Sequence, residues 1–400
     1  MVPLQVHNVK SILPKTFKFG PLVVQKANMT GRGTRGCPLK LMKPYPYQDE
    51  KFSIWTPLFD DTLLRVSQEN AKIIVIEGPI AAGKTALAKA LAEEFDLLHI
   101  PEATANDEYV LPFGFDVRQN DHLAPRPLQI YDHKNFCTNP TDLRSALFQY
   151  LMLRMRYYQY VDALAHLLNT GQGVILERSV FSDWVFMQAM YEQKFVSKNV
   201  YNEYFNIKRN ISTRLLEPHL IIYLDVPVPV VQERIRTRNY SYEQNSPALT
   251  KEYLTSLDKH WKLNIQQQSK NSEVLIYNWS DGGEMELIAE DIEKLDLQNI
   301  RKEKLLHWKI SSRLFNKLRA FVTNEKYSFD SYFKYDVTKV PELDFPGYLV
   351  LQRNKIYDNI PESKYDIGYN PANGDSFWKI LLNCKSHKHR ISRSHLPYKY

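Results

Sequence analysis

The residues whose types and spacing suggest chemistry most directly are Gly78-Pro79-Ile80-Ala81-Ala82-Gly83-Lys84-Thr85, eight positions that fit GxxxxGK[ST] in full. A loop bracketed by glycines turns successive main-chain N–H groups onto phosphate oxygens, and a helix starting at its end adds its positive pole. In that chemistry Gly78, Ala81, Ala82 and Gly83 line the cradle, Lys84 reaches the terminal phosphates and the Thr85 hydroxyl ligates Mg²⁺. The alternative is a turn that keeps this shape and binds nothing.

Three further groups carry charge in positions where it could act. Glu102 follows the apolar run "LLHIP" and could take a proton from an acceptor hydroxyl, or be an ordinary surface acid. Glu177-Arg178-Ser179 closes the run "GVILE", as a base and a phosphate clamp side by side or as a structural ion pair. Arg234, Arg236 and Arg238 in "QERIRTR" lie two apart, so on one helix they fan over different faces. A mobile lid would use that fan to neutralise transition-state charge, whereas a solvated helix end would place cations near its own C-terminus.

To bring these residues together, the chain needs a sheet edge. Short apolar, β-branched runs occur at 72–77, 97–101, 173–177, 219–225 and 273–278, with helical periodicity between them. Continuously apolar strands alternating with helices predict a five-stranded parallel sheet, an α/β doubly wound fold of P-loop type, with ligands at its carboxyl edge. A long helix is expected over Thr141–Thr170, capped by Thr141 and stopped by Gly171, its Tyr and Met residues serving packing. Further helices are expected at 227–238, at 247–262 with Pro247 in the first turn, and through most of 284–321. Beyond about 325 the chain reads as irregular.

Composition limits the rest. The chain of 400 residues, 44% hydrophobic, is long enough for a large core, and it lacks the run of roughly 18 apolar residues that a membrane-spanning helix needs. Cys37, Cys137 and Cys384 lie far apart, indicating neither disulfides, zinc nor an iron–sulfur centre. The net charge of +7 sits at the ends: residues 1–48 carry eight Lys or Arg and no acid, residues after Asp375 carry six and no acid, and the body between is net acidic. An acidic body argues against nucleic acid as a partner. The basic, acid-free start fits a mitochondrial import segment or a solvated arm. The domain reading is an import segment and extended leader over 1–48, a P-loop domain over 49–300, and an extension over 301–400, helical at first, then irregular, with a basic tail.

From Lys72 to Leu295 the chain resembles the deoxyribonucleoside kinase family, through "EGPIAAGKT", the acid in "PEAT", "FQY", "ERSVFSD" and "ERIRTR" in the family's order. The resemblance implies Glu102 as general base, Gln149 on the nucleobase, Arg178 beside the transferred phosphate with Glu177 next to it, and Arg234 and Arg238 in a lid. It implies ATP or a deoxynucleotide as ligand, with Mg²⁺. The chain departs from the family at Asp107, where a tryptophan is usual, and at Tyr240 and Tyr242, where the lid usually has another Arg and an acid. Over Lys43–Trp378, "KPYPYQDEKFSIW", "LNTGQGVILERSVFSDWVFMQAMY", "PHLIIYLDVPVPVVQERI" and "KYDIGYNPANGDSFW" resemble one branch of that family, the kinase-fold accessory subunits of mitochondrial respiratory complex I. That branch implies a non-catalytic role in assembly or stability, other complex I subunits as partners, a peripheral place on the matrix side of the inner membrane, and FAD as a further cofactor candidate. An active mitochondrial deoxyribonucleoside kinase is the alternative.

Overall fold

The computed structural model describes residues 29–33, 45–48, 50, 52–53, 55–56, 66, 68–110, 115–213, 215–297, 308, 312–324 and 332–358. Its centre is a sheet of β1 (Ile73–Glu77), β2 (Leu98–Ile100), β3 (Val174–Glu177), β4 (Leu220–Asp225) and β5 (Glu273–Asn278). The order is β2-β3-β1-β4-β5 and every pairing is parallel, as the apolar runs predict. All five residues of β1 and all four of β3 are buried, so helices cover both sheet faces.

Between strands run α1 (Lys84–Phe95), α2 (Arg144–Thr170), α3 (Trp184–Glu192), α4 (Lys198–Ser212), α5 (Val228–Arg238), α6 (Lys251–Gln268) and α7 (Met285–Lys294). α8 (Ser312–Asn324) and α9 (Gly347–Asp358) follow. Gly171 ends α2 in the left-handed conformation at φ 75°, returning its N–H to the Leu167 carbonyl at 2.9 Å. The tyrosines and methionines of α2 pack as expected: Met155, Tyr157, Tyr158 and Tyr160 are buried.

Three boundaries differ from the sequence expectation. Thr141 does not cap α2, because its hydroxyl donates to Asn139 Oδ1 at 3.2 Å and the helix starts at Arg144. Pro247 lies before α6 and not in its first turn, since Thr250 takes the cap by accepting the Tyr253 N–H at 3.2 Å. The 284–321 stretch divides into α7 and α8, and the region beyond 325, expected to be irregular, contains α9.

Described residues before β1 and after α7 join the same core. Met29 is fully buried, and Phe315 and Val322 of α8 lie in the main apolar cluster. Arg319 of α8, also fully buried, donates from Nε to Asn169 Oδ1 at 2.7 Å. The segment 1–28, where an import signal is expected, and the basic tail after Asp375 lie outside the described residues, as do Cys37 and Cys384; Cys137 is a buried thiol. No described helix is long and apolar enough to cross a membrane.

Candidate nucleotide site

The loop after β1 begins at a crowded position that favours glycine. Gly78 sits at φ 154°, and a Cβ there would meet the Leu224 carbonyl oxygen of β4 at 3.0 Å, so a side chain would crowd the backbone of the neighbouring strand. Ala81 at φ 58° and Gly83 at φ 88° complete the turn into α1. Lys84 is buried at the first helical position and donates from Nζ to the Pro79 carbonyl at 2.9 Å. Burial, with the Arg178 guanidinium nearby, brings its pKa down from 10.5 to about 7.

Glu102, Glu177 and Arg178 meet this loop at the carboxyl edge. Arg178 follows β3 at φ 65°, a left-handed conformation unusual for a long side chain, and the turn separates it from its neighbour Glu177. Its guanidinium pairs with Glu102 Oε1 and donates to the Gly78 carbonyl at 3.0 Å, lying over the rings of Phe186 at 5.0 Å and Trp261 at 5.6 Å. Glu177 instead faces α1, where Thr85 Oγ1 donates to its Oε2 at 2.5 Å and His99 Nε2 lies 2.8 Å from its Oε1. Burial alone would raise the Glu102 carboxyl, but Arg178, Lys84 and Arg156 outweigh it and hold the group down at about 2.

A cavity of about 590 Å³ opens here, lined by the loop from Ile80 to Thr85, by Glu102, Glu177 and Arg178, and across from them by Val230, Glu233, Arg234, Thr237 and Arg238 of α5. The arginine fan forms as its spacing predicts: Arg234 turns inward, and Arg236 points to solvent beside Glu233 at 3.5 Å. Arg234 does not stand free over the cavity. It donates to the carbonyls of Trp279 at 2.7 Å, Ser280 at 2.9 Å and Ala82 at 3.4 Å, tying α5 to the phosphate loop. Arg238 pairs with Glu243 and lies over the Tyr240 ring at 4.9 Å.

Gln149 lies apart from that cavity, on a buried cluster centred on Asp183. Gln149 Nε2 donates to Asp183 Oδ2 at 2.8 Å, and Arg156 and the Tyr204 hydroxyl also donate to that carboxylate. Asp183 and Tyr204 are fully buried, Gln149 and Arg156 nearly so. Burial and the Asp183 charge push the Tyr204 pKa well up, so it remains a donor. At the other end of this cluster Arg156 NH2 reaches Glu102 at 3.4 Å, linking it to the phosphate side.

Sequence reasoning missed His99, Arg156 and Tyr204, and quoted Asp183 without giving it a role. Two signals were present. Arg156 lies seven residues, two turns, after Gln149 and so shares its helix face, and His99 interrupts an otherwise apolar strand. Asp107, where the family resemblance leads one to expect tryptophan, accepts the Thr104 N–H at 2.7 Å and closes a turn. Thr85 and Glu177 are the hard-oxygen pair that suits Mg²⁺. Among the described residues no three His, Cys, Asp or Glu side chains converge as a metal cluster.

Residues 74–307 match the deoxynucleoside kinase family, and the chain belongs to it. Within that family the chain is similar to NADH dehydrogenase [ubiquinone] 1 alpha subcomplex subunit 10, mitochondrial, of Rattus norvegicus, at 33% identity over 82% of this chain and 89% of the relative. Deoxyguanosine kinase of Dictyostelium discoideum is 30% identical over 56% of this chain and 69% of its own length. Among solved structures, deoxyadenosine kinase from M. mycoides with bound dCTP has a TM-score of 0.42 at 19% identity, covering 56% of this chain and 100% of that one.

Proposed function

We propose that this chain is a nucleotide-binding, non-catalytic accessory subunit of mitochondrial NADH:ubiquinone oxidoreductase, peripheral on the matrix side of the inner membrane and supporting assembly or stability of the complex. The observation that carries the reading is the division of the site. The phosphate loop, Glu102, Glu177, Arg178, Arg234 and Arg238 line one cavity, while Gln149, the residue that the family resemblance puts on the nucleobase, is buried and bonded within a cluster of Arg156, Asp183 and Tyr204. Similarity to the rat mitochondrial subunit over most of both chains supports the partner.

The residues support binding over turnover. The loop amides and Lys84 take the terminal phosphates of ATP or a deoxynucleotide, and Thr85 and Glu177 hold Mg²⁺, which would neutralise phosphate charge. A proton acceptor works best with a pKa near the working pH, and Glu102, held at about 2 by three cations, is a counter-ion for Arg178 and Arg156 before it is a base. The lid cations are already engaged, Arg234 by carbonyls and Arg238 by Glu243; removing an arginine that acts as a finger costs a factor of about 10³ or more in rate. FAD fits less well, because among the described residues no aromatic side chain lines the cavity to receive a flavin ring.

Active deoxynucleoside phosphorylation is the competing reading, favoured by the contact of Glu102 with Arg178 beside the loop. Purified protein given ATP, Mg²⁺ and each deoxynucleoside separates the two: turnover near the roughly 1–100 s⁻¹ of ordinary kinases overturns the accessory reading. Comigration with the intact complex in a mild-detergent native gel is expected, and recovery only as a free species overturns the partner. In calorimetry, Lys84→Ala is expected to weaken ATP binding about 10- to 100-fold, the worth of a charge-assisted hydrogen bond, with the circular dichroism spectrum unchanged.

A further inference from the structure

We propose that His99 is a positioning residue for a divalent cation held with the nucleotide: it fixes the Glu177 carboxylate in the orientation that pairs it with Thr85. This rests on the nucleotide-binding reading above and extends it to a residue on the far side of the sheet edge from the phosphate loop.

Register places the two side chains together. His99 of β2 pairs with Ile175 of β3, and Glu177 lies two residues on from Ile175, hence on the same face of the sheet. His99 Nε2 lies 2.8 Å from Glu177 Oε1, with the histidine side chain 17% exposed and the glutamate 2%. An ionised carboxylate only accepts hydrogen bonds, so the Nε2 between them carries the proton. The other carboxylate oxygen accepts the Thr85 hydroxyl at 2.5 Å, so the group is held from two elements at once.

The adjacent arginine does not compete for it. The left-handed turn at Arg178 sends that guanidinium to Glu102 and the Gly78 carbonyl, and among the described residues His99 is the group within ion-pair distance of Glu177. Glu177 thus stays a hard-oxygen ligand next to a hydroxyl, the donor set a small divalent cation takes alongside phosphate oxygens. Without His99, Oε1 loses its tether and the carboxylate can rotate away from Thr85. Loss of such an outer partner typically lowers metal affinity about 10- to 100-fold.

Calorimetric titration of ADP with and without Mg²⁺ tests this in the full chain, comparing wild type, His99→Val and His99→Gln. Valine keeps the strand but removes the donor, and glutamine restores an N–H donor at similar reach. The expected result is that His99→Val loses most of the Mg²⁺-dependent gain, about 10- to 100-fold, with Mg²⁺-free ADP affinity within about twofold of wild type and the melting temperature unchanged, and that His99→Gln recovers the gain. Full Mg²⁺ enhancement in His99→Val overturns the proposal, as does equal loss of affinity with and without Mg²⁺. Wild type that binds ADP with no Mg²⁺ enhancement also overturns it, leaving nucleotide binding standing. Wild type that binds no ADP overturns the nucleotide-binding reading; Mn²⁺ binding to the free protein, read from the free-ion EPR signal, then decides on His99, weaker binding in His99→Val supporting it and equal binding overturning it.

Discussion

Glu102 shows how a residue's position was legible while its state was not. The apolar run before it places it at the sheet edge, which is where it lies, because strand ends in parallel sheets are fixed by hydrophobic pattern. Its charge state depends on Arg178 from β3, Arg156 from α2 and Lys84 from α1, and no spacing in the sequence records that meeting. Since the fold lowers the Glu102 pKa from 4.5 to about 2, the stability it contributes is present above 4.5 and is lost as pH falls toward 2. Glu102→Gln is therefore expected to be less stable than wild type at pH 6, with Arg178 and Arg156 left short of a counter-charge. Urea denaturation at pH 6, 4.5, 3 and 2 should show that gap closing with falling pH. A gap that stays constant to pH 2 would show that Glu102 is not held by those cations. Tyr204 is illegible for a related reason, since helix packing recruits it from an element whose own pattern gives no sign of chemistry, and although His99 breaks an apolar run, only strand register shows that it meets Glu177.

At the scale of elements, strand positions followed from apolar runs because a strand buried on both faces has little choice of residue. Helix starts were less legible, since Thr141, Pro247 and Thr250 all suit a helix N-terminus and only the backbone decides which is used. The lid departures at Tyr240 and Tyr242 acquire a physical role in the structure. The two rings stack at 5.5 Å and 18°, Tyr242 meets His133 edge-on at 5.3 Å, Lys134 Nζ lies 5.8 Å from the Tyr242 ring, and Ser246 Oγ donates to the Cys137 carbonyl at 2.6 Å. The segment after α5 is thus strapped to the short helix His133–Thr138, part of the long connection between Glu102 and Gln149. Aromatic pairs contribute about 0.5–1.5 kcal/mol each. Tyr242→Ala is expected to speed amide exchange over residues 239–247 roughly tenfold while β1 keeps its protection. Unchanged exchange there would mean that the tyrosines do not hold the lid.

At the scale of the whole molecule, the leader illustrates what composition hides. Gly, Pro and basic residues suggest an irregular strand of chain, and residues 29–33 are irregular, yet they are fastened to three separate parts of the kinase fold. The Thr30 N–H donates to Asn70 Oδ1 before β1 at 2.9 Å, Gly31 N–H to Glu293 of α7 at 2.8 Å, and Arg32 N–H to Glu94 of α1 at 2.8 Å. Backbone donors make these bonds, so side-chain patterning could not reveal them. One side chain does anchor the segment: Met29 is fully buried in the main apolar cluster. Truncating a buried methionine to alanine costs about 2–5 kcal/mol, and for a domain of this size each kcal/mol lowers the melting temperature by about 2–4 °C. Met29→Ala is accordingly expected to melt about 4–20 °C below wild type. Arg32→Ala, which keeps the main-chain bond and removes an exposed side chain, is expected to stay within about 1 °C. Equal melting of Met29→Ala and wild type in differential scanning calorimetry would show the leader to be a passenger on the domain, whereas the expected drop makes it the strap across α1 and α7 that its contacts describe.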